Sequence, residues 1–401
     1  MATIVQQEEW DSPLATRIYL DHAATTRTDA TVVQAMLPYW TEIWGNPSSI
    51  YSAGREARAA LDRARATLAE TLGCHPREIT ITSGGSESDN LALRGIVERA
   101  RETTTRPHLI TSAVEHHAVL HTAAALAKTG VDVTYLPVDT HGGVSPNALA
   151  AAMRPETCLV SIIYANNEVG TVNPIADLAT VARERGVPFH TDAVQAPGAL
   201  PIDVHALGVD MLSLSAHKFE GPKGVGLLYT RRGTRLAPQI TGGGQEMNHR
   251  AGTENVAHAV GMATALAHAE ALRPQWVAQC AHLRDEFVRR VLAAVPDACL
   301  NGHPTMRLAN NANIGFAGIE AESLLILLDA EGVAASAGSA CASGSIEPSH
   351  VLRAMGVPDA YSLGTLRFTF GPENTDAELD IVTALLPALV SRLRAVALLG
   401  V

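Results

Sequence analysis

The sequence predicts an α/β protein: a large domain on a mostly parallel seven-stranded sheet flanked by helices, plus a smaller α+β domain. Two observations carry that prediction. Between residues 78 and 230, seven short β-branched or apolar runs alternate with longer segments rich in Ala, Leu and charge, which is the pattern of successive βα units. Beyond an Ala-rich helical stretch, shorter strand and helix patterns resume toward the C-terminus.

The seven runs are "EITIT", "PHLITS", "VDVTYL", "TCLVSIIYA", "GVPFHTDA", "VDMLSLS" and "GVGLLYT". Ligands on such sheets gather at the carboxyl ends of the strands, so the polar residues that follow each run are the candidates for chemistry. From about Thr253 to Val295 the pattern is helical, and "LRPQ" inside it reads as a break between one helix and the next. "NANIGF", "ESLLILLDAEG" and "GTLRFTF" then read as strand, helix and strand. The large domain is expected over 28–272, and the small one over 1–27 and 273–401.

Composition narrows the class. Hydrophobic residues make up 47% and charged residues 18% of 401 positions, without long like-charge blocks, so the chain folds. A net charge of −11 argues against a nucleic-acid surface as its main business. Glu8, Glu9 and Asp11 interrupt the apolar segment a signal peptide needs, and no apolar run approaches the roughly 20 residues of a membrane helix. A cytoplasmic protein is expected. Five cysteines, odd in number and without CxxC spacing, suggest neither a disulfide framework nor a zinc site.

In "ITITSGGSESDNLAL", strand, glycine turn and helix start would aim backbone N–H groups and the positive helix end at one spot, which suits a phosphate. The same residues also read as an ordinary βα turn with Ser86 as helix cap. Asp192, after the strand in "GVPFHTDAVQ", suits a helix cap, an ion pair or the partner of a cationic cofactor nitrogen. Ser215, His217 and Lys218 follow another strand in "LSLSAHKFEGPKG"; a lysine amine attacks carbonyls only where its ammonium form is disfavoured. "TGGGQEMNHRAGTEN" adds a glycine-rich turn ending in Gly252-Thr253 at an expected helix start. Together these residues describe a pyridoxal phosphate site. Cys341 sits in "AASAGSACASGSIEPSH", a loop too poor in apolar residues to bury a structural thiol.

With those motifs, and with "YLDHAATT", "GNPSS", "EHHAV", "NNEVG", "GGGQE" and "GTLRFTFG", nearly the whole chain resembles the cysteine desulfurases, fold-type-I pyridoxal phosphate enzymes that take sulfur from L-cysteine. The resemblance implies that Lys218 forms the internal Schiff base and removes the substrate's α-proton, that Asp192 pairs with the pyridine nitrogen, and that Gln195 meets the phenolic oxygen. It implies that His116 stacks on the ring and handles protons, while His117 beside it is ordinary. Phosphate donors would be Gly85, Ser86, Ser215 and His217, with Thr253 reaching in from the second subunit of a homodimer. Arg367, assisted by Asn167, would clamp the substrate carboxylate, for which a planar guanidinium fork is well shaped. Cys341 would attack the substrate sulfur as a thiolate and carry it as a persulfide to an acceptor protein. The acceptor would serve iron–sulfur assembly, tRNA thiolation or DNA phosphorothioation.

The Cys341 segment resembles the long-loop group of that family. Glu220 and the Gly85-Ser86 pair, where relatives often carry Ala-Thr, are mild departures. An aminotransferase or a selenocysteine lyase shares the fold, but transamination needs no thiol nucleophile, and a non-catalytic sulfur relay would not need Lys218, Asp192, His116 and Arg367 together. No metal is implied. His22 in "YLDHAATT" is at best a supporting residue.

Overall fold

The computed structural model describes residues 17–337 and 349–398. Its first strand, β1 (Ile18–Tyr19), precedes a seven-stranded sheet of β2 (Ile79–Thr82), β3 (His108–Ser112), β4 (Asp132–Leu136), β5 (Thr157–Ser161), β6 (Phe189–Asp192), β7 (Met211–Ser215) and β8 (Gly226–Thr230). The spatial order is β2-β8-β7-β6-β5-β3-β4. Only β8 runs against its neighbours, pairing antiparallel with both β2 and β7. All seven expected runs form strands. Helices cover both faces, so β2, β3, β6, β7 and β8 are buried along their whole length, and the runs read as continuous apolar segments without alternation.

A second, antiparallel sheet orders β9 (Ala298–Asn301), β10 (Asn311–Phe316) and β12 (Thr365–Thr369) as β12-β10-β9. β11 (Val333–Ala334) pairs in parallel with β1, Ile18 opposite Val333, and so ties the start of the described chain to this half. The helix Ala321–Ala330 lies between β10 and β11, as "ESLLILLDAEG" predicted. A cluster around Leu91, Leu109 and Leu159 packs on the seven-stranded sheet, and two larger apolar cores lie apart, one on that sheet and one on the three-stranded sheet. One gathers residues such as Leu68, Phe189, Leu214 and Leu266, and the other Phe287, Ile314, Phe316 and Phe368.

Two local expectations are corrected. The stretch read as two helices is one, Val256–Ala294, 39 residues long with Pro274 inside it. An internal proline removes one backbone hydrogen bond and costs about 3 kcal/mol, but the two halves of this helix are buried in different cores. Met262, Leu266 and Ala269 pack in the first, and Cys280, Leu283, Phe287 and Val291 in the second. That burial outweighs the local loss at roughly 1.5–3 kcal/mol per large apolar side chain. Gly252-Thr253 does not start this helix, whose cap is Asn255, with its side chain accepting from His258 N.

Candidate active site

The loops after β2, β3, β5, β6 and β7 meet one cavity of about 260 Å³. At its phosphate-like end, β2 turns through Gly84 into the helix Gly85–Ala100. Gly84 caps this helix, so the reading of Ser86 as N-cap is corrected. Gly84 has φ 156° and ψ 179°, a conformation open essentially to glycine. A Cβ on Gly85 would lie 2.8 Å from Val194 Cγ2 and 3.5 Å from Ser215 Cβ. The glycines therefore keep a backbone cradle open beneath the first unsatisfied N–H groups of a 16-residue helix. Ser86, Ser215 and His217 line the same cavity. His217 shares a hydrogen bond of 3.1 Å with Thr25 Oγ1, and burial together with Lys218 and Lys223 lowers its pKa to about 4.

Asp192, the last residue of β6, is 4% exposed, and its Oδ1 accepts from Val194 N at 3.0 Å. Burial raises its pKa to about 6. A carboxyl held in such a place calls for a cationic hydrogen-bond partner from the cavity. Asp89, on the helix after Gly85, lines the cavity too, 1% exposed and with no hydrogen-bond partner for Oδ1. Burial and the charge of Asp192 push its pKa up. Behind the two carboxyls, His190 spans Ser161 Oγ at 2.8 Å and Ser213 Oγ at 2.9 Å, and burial lowers its pKa to about 3.

Lys218 ends a single 3₁₀ turn, Ala216–Lys218, directly after β7. Its Nζ donates to the carbonyls of Ala23 at 2.5 Å and Ala24 at 2.7 Å. Gln195 Nε2 donates to the same Ala23 carbonyl at 3.1 Å. The stretch "YLDHAATT" thus forms the wall that faces the strand ends. His116 caps the helix His117–Ala127, and its Nδ1 accepts from Ala118 N at 3.1 Å. The neutral ring accordingly carries its proton on Nε2. Burial first, and then the charge of Lys218, lowers its pKa to about 4. His117 is not merely ordinary: it lines the cavity and lies 4.9 Å, ring centroid to ring centroid, from both His121 and His350.

Arg367, in the middle of β12, is 2% exposed yet lines the cavity. It donates to the carbonyl of Asn167 at 2.8 Å and to Asp21 Oδ1 at 2.7 Å. Asn167 borders the cavity as well. Asp21, Asp89 and Glu168 are the residues that the sequence reading did not single out. All three lie in quoted motifs, and a carboxyl whose burial depends on distant parts of the chain leaves no local signal of it. Thr253 is not brought to this cavity; it lines another with Ser83 and Gly224. Cys341 lies outside the described residues. The flanks of its segment are described: Ser336 exchanges backbone hydrogen bonds with Arg367 at 3.2 and 2.6 Å, and Ser349 Oγ donates to Glu168 Oε2.

A glycine-opened helix start, a buried acid and a lysine at neighbouring strand ends of a mostly parallel sheet define an enzyme of the fold-type-I class. Residues 18–382 match the family model described as Aminotransferase class-V. The chain is 51% identical over 377 residues to a protein named cysteine desulfurase IscS from Methanosarcina thermophila, covering 94% of this chain and 93% of that one. To the protein of the same name from Dictyoglomus turgidum it is 48% identical over 379 residues, covering 94% and 96%. Among solved structures, a NifS-like protein aligns with TM-score 0.88 and 36% identity over 94% of this chain and all of its own. DndA from Streptomyces lividans aligns with TM-score 0.75 and 38% identity over 88% of this chain and 99% of its own. The chain belongs to the cysteine desulfurases of the class-V aminotransferase family, which implies pyridoxal phosphate as cofactor. Among the described residues no helix is long and apolar enough to cross a membrane.

Proposed function

We propose that this chain removes sulfur from L-cysteine, leaving L-alanine and a persulfide on Cys341. The convergence of Lys218, Asp192, His116 and Arg367 on one cavity, with both flanks of the Cys341 segment fixed to its wall, carries the reading. Pyridoxal phosphate fits the residues present: an open cradle at Gly85 suits its phosphate, a buried acid at Asp192 its ring nitrogen and an amine at Lys218 its aldehyde. Gly85, Ser86, Ser215 and His217 would hold the phosphate, Asp192 the ring nitrogen, Gln195 the phenolic oxygen, and His116 would cover the ring. When bound, the cofactor supplies an electron sink for the carbanion formed at the substrate's α-carbon.

The chain's own residues then divide the work. Arg367, fixed between Asp21 and Asn167, presents its fork to the substrate carboxylate. Lys218 takes the α-proton, and carbonyls at 2.5 and 2.7 Å hold its amine in place. His116, neutral with its proton on Nε2, would donate and regain that proton at the substrate sulfur. The substrate C–S bond breaks as an S–S bond forms to Cys341, and a proton completes alanine, so no outside oxidant is needed. Burial pushes the thiols of Cys74 and Cys280 up to about 12 and Cys158 to about 11, which leaves all three poor nucleophiles.

The homodimer reading is supported by the placing of Thr253 away from its own chain's cavity, and by exposed Trp40, Trp44, Ile50 and Tyr51 in one stretch. The division into domains at 28–272 is supported by the two separate cores. SspA, solved in complex with cysteine, fits the substrate class; that structure shares 37% identity and covers 89% of this chain. The acceptor is a protein of one of the three sulfur-using pathways.

The test is direct. Purified protein incubated with L-cysteine and a thiol reductant is expected to release alanine and sulfide in equal amounts. Cys341→Ser is expected to keep the yellow cofactor absorbance and lose both products; products retained by that variant would assign the sulfur to another nucleophile.

A further inference from the structure

We propose that Glu168 is a positioning residue for sulfur transfer, clamping the C-terminal flank of the Cys341 segment to the cavity wall through Ser349. The proposal rests on the desulfurase reading.

Glu168 lies in the "NNEVG" turn after β5 and is 3% exposed. Both of its backbone polar groups are committed. Its N–H donates to Asn166 Oδ1 at 2.9 Å, and its carbonyl accepts from Asn311 Nδ2 at 3.2 Å and Asn313 Nδ2 at 3.1 Å, both on β10. The backbone of Glu168 is therefore fixed at the junction of the two sheets. From that fixed point the carboxyl borders the cavity and takes the hydroxyl hydrogen of Ser349. Burial raises its pKa, while Ser349, Arg367 and His117 oppose the rise.

Ser349 is bound on both sides. Its Oγ accepts from Val351 N at 3.0 Å and so caps the short helix His350–Ala354, which leaves its hydrogen for Glu168. The next residue makes an independent attachment: His350 Nε2–H donates to the carbonyl of Glu115 at 2.9 Å, and its ring meets His117. Beneath them Val351 and Leu352 pack with Val114 and Val169. The flank is thus seated on the turns after β3 and β5, the same turns that carry His116 and Asn167. At this place a buried carboxylate is spent on a serine hydroxyl. A fixed origin for the segment that carries Cys341 would use that contact.

The test uses holoenzyme in single turnover with L-cysteine, reading persulfide on Cys341 by mass, together with cofactor absorbance. Glu168→Ala and Ser349→Ala are each expected to slow persulfide formation about tenfold, the size of one charge-assisted hydrogen bond lost. The double variant should be no slower than either single one. Cofactor affinity and the absorbance change on adding cysteine should stay as in the wild type. Glu168→Gln, whose amide oxygen still accepts from Ser349, should recover most of the rate lost in Glu168→Ala. Additive effects in the double variant, unchanged rates, or a loss explained by weaker cofactor binding would each overturn the clamp. If the wild type itself formed no persulfide, the desulfurase reading would fall instead.

Discussion

The wall formed by the strand ends and the wall that faces it reach the same cavity by different routes. On the first, Asp192, Ser215 and Lys218 lie at or within three residues of the ends of fully buried strands, so the sheet backbone places them. On the second, contacts join residues far apart in the chain: Lys218 to Ala23 across 195 positions, and Arg367 to Asp21 across 346. A side-chain change on the strand-end wall should therefore remove a chemical step while leaving the cavity's shape. A change on the facing wall should misplace the substrate while leaving the chemistry intact.

The sharpest test of that contrast is Lys218→Ala, which removes the amine that donates to the Ala23 and Ala24 carbonyls. Alanine formation is expected to fall by about 10²–10⁴, the range for loss of a positioned proton-transfer group. Thermal unfolding should barely move; a large drop in melting temperature would show that the two carbonyl contacts of Lys218 hold the walls together.

Arg367→Lys comes next. A point charge replaces a fork that reaches Asn167 and Asp21 at once, and kcat/KM for L-cysteine is expected to fall about a hundredfold, mostly through KM. Asp21→Asn keeps the shape and weakens the pairing, with an expected loss of about tenfold. If kcat fell and KM did not, the facing wall would be chemical as well as positional.

A separate prediction, read in stability and not in rate, concerns the strand-end wall alone. His190 has its folded pKa lowered to about 3 from 6.5, so its contribution to stability is present above pH 6.5 and is lost as pH falls toward 3. Glu115, raised to about 8, works in the opposite sense: its contribution is present below pH 4.5 and is lost as pH rises through 8. Between pH 6.5 and 4, the His190 share of the loss is about 3 kcal/mol in cofactor-free protein. His190→Gln should flatten the acid limb of the melting curve in that window. An unchanged limb would move the acid sensitivity to other histidines such as His116.

That contrast also explains what was legible in the sequence. Seven apolar runs and their polar successors mark the strand-end wall directly, because a buried parallel strand and the turn after it are contiguous. Lys218, Asp192, His116 and Ser215 were accessible for that reason. Asp21 and Glu168 were not, since each owes its role to a partner more than 180 positions away. The unbroken helix Val256–Ala294 escaped notice for a related reason. A proline signals a break locally, and only two distant cores together show why the helix continues.

That helix has a further consequence. At 3.6 residues and 5.4 Å per turn it is a rod about 58 Å long, on which every side chain's direction is fixed by its count from the start. Leu266 and Phe287 face different cores from one axis. A single residue inserted near Pro274 would turn everything beyond it by about 100°. Phe287 would then leave its place against Phe368 and Phe370. The spacing between the halves is thus written in angular phase as well as in length.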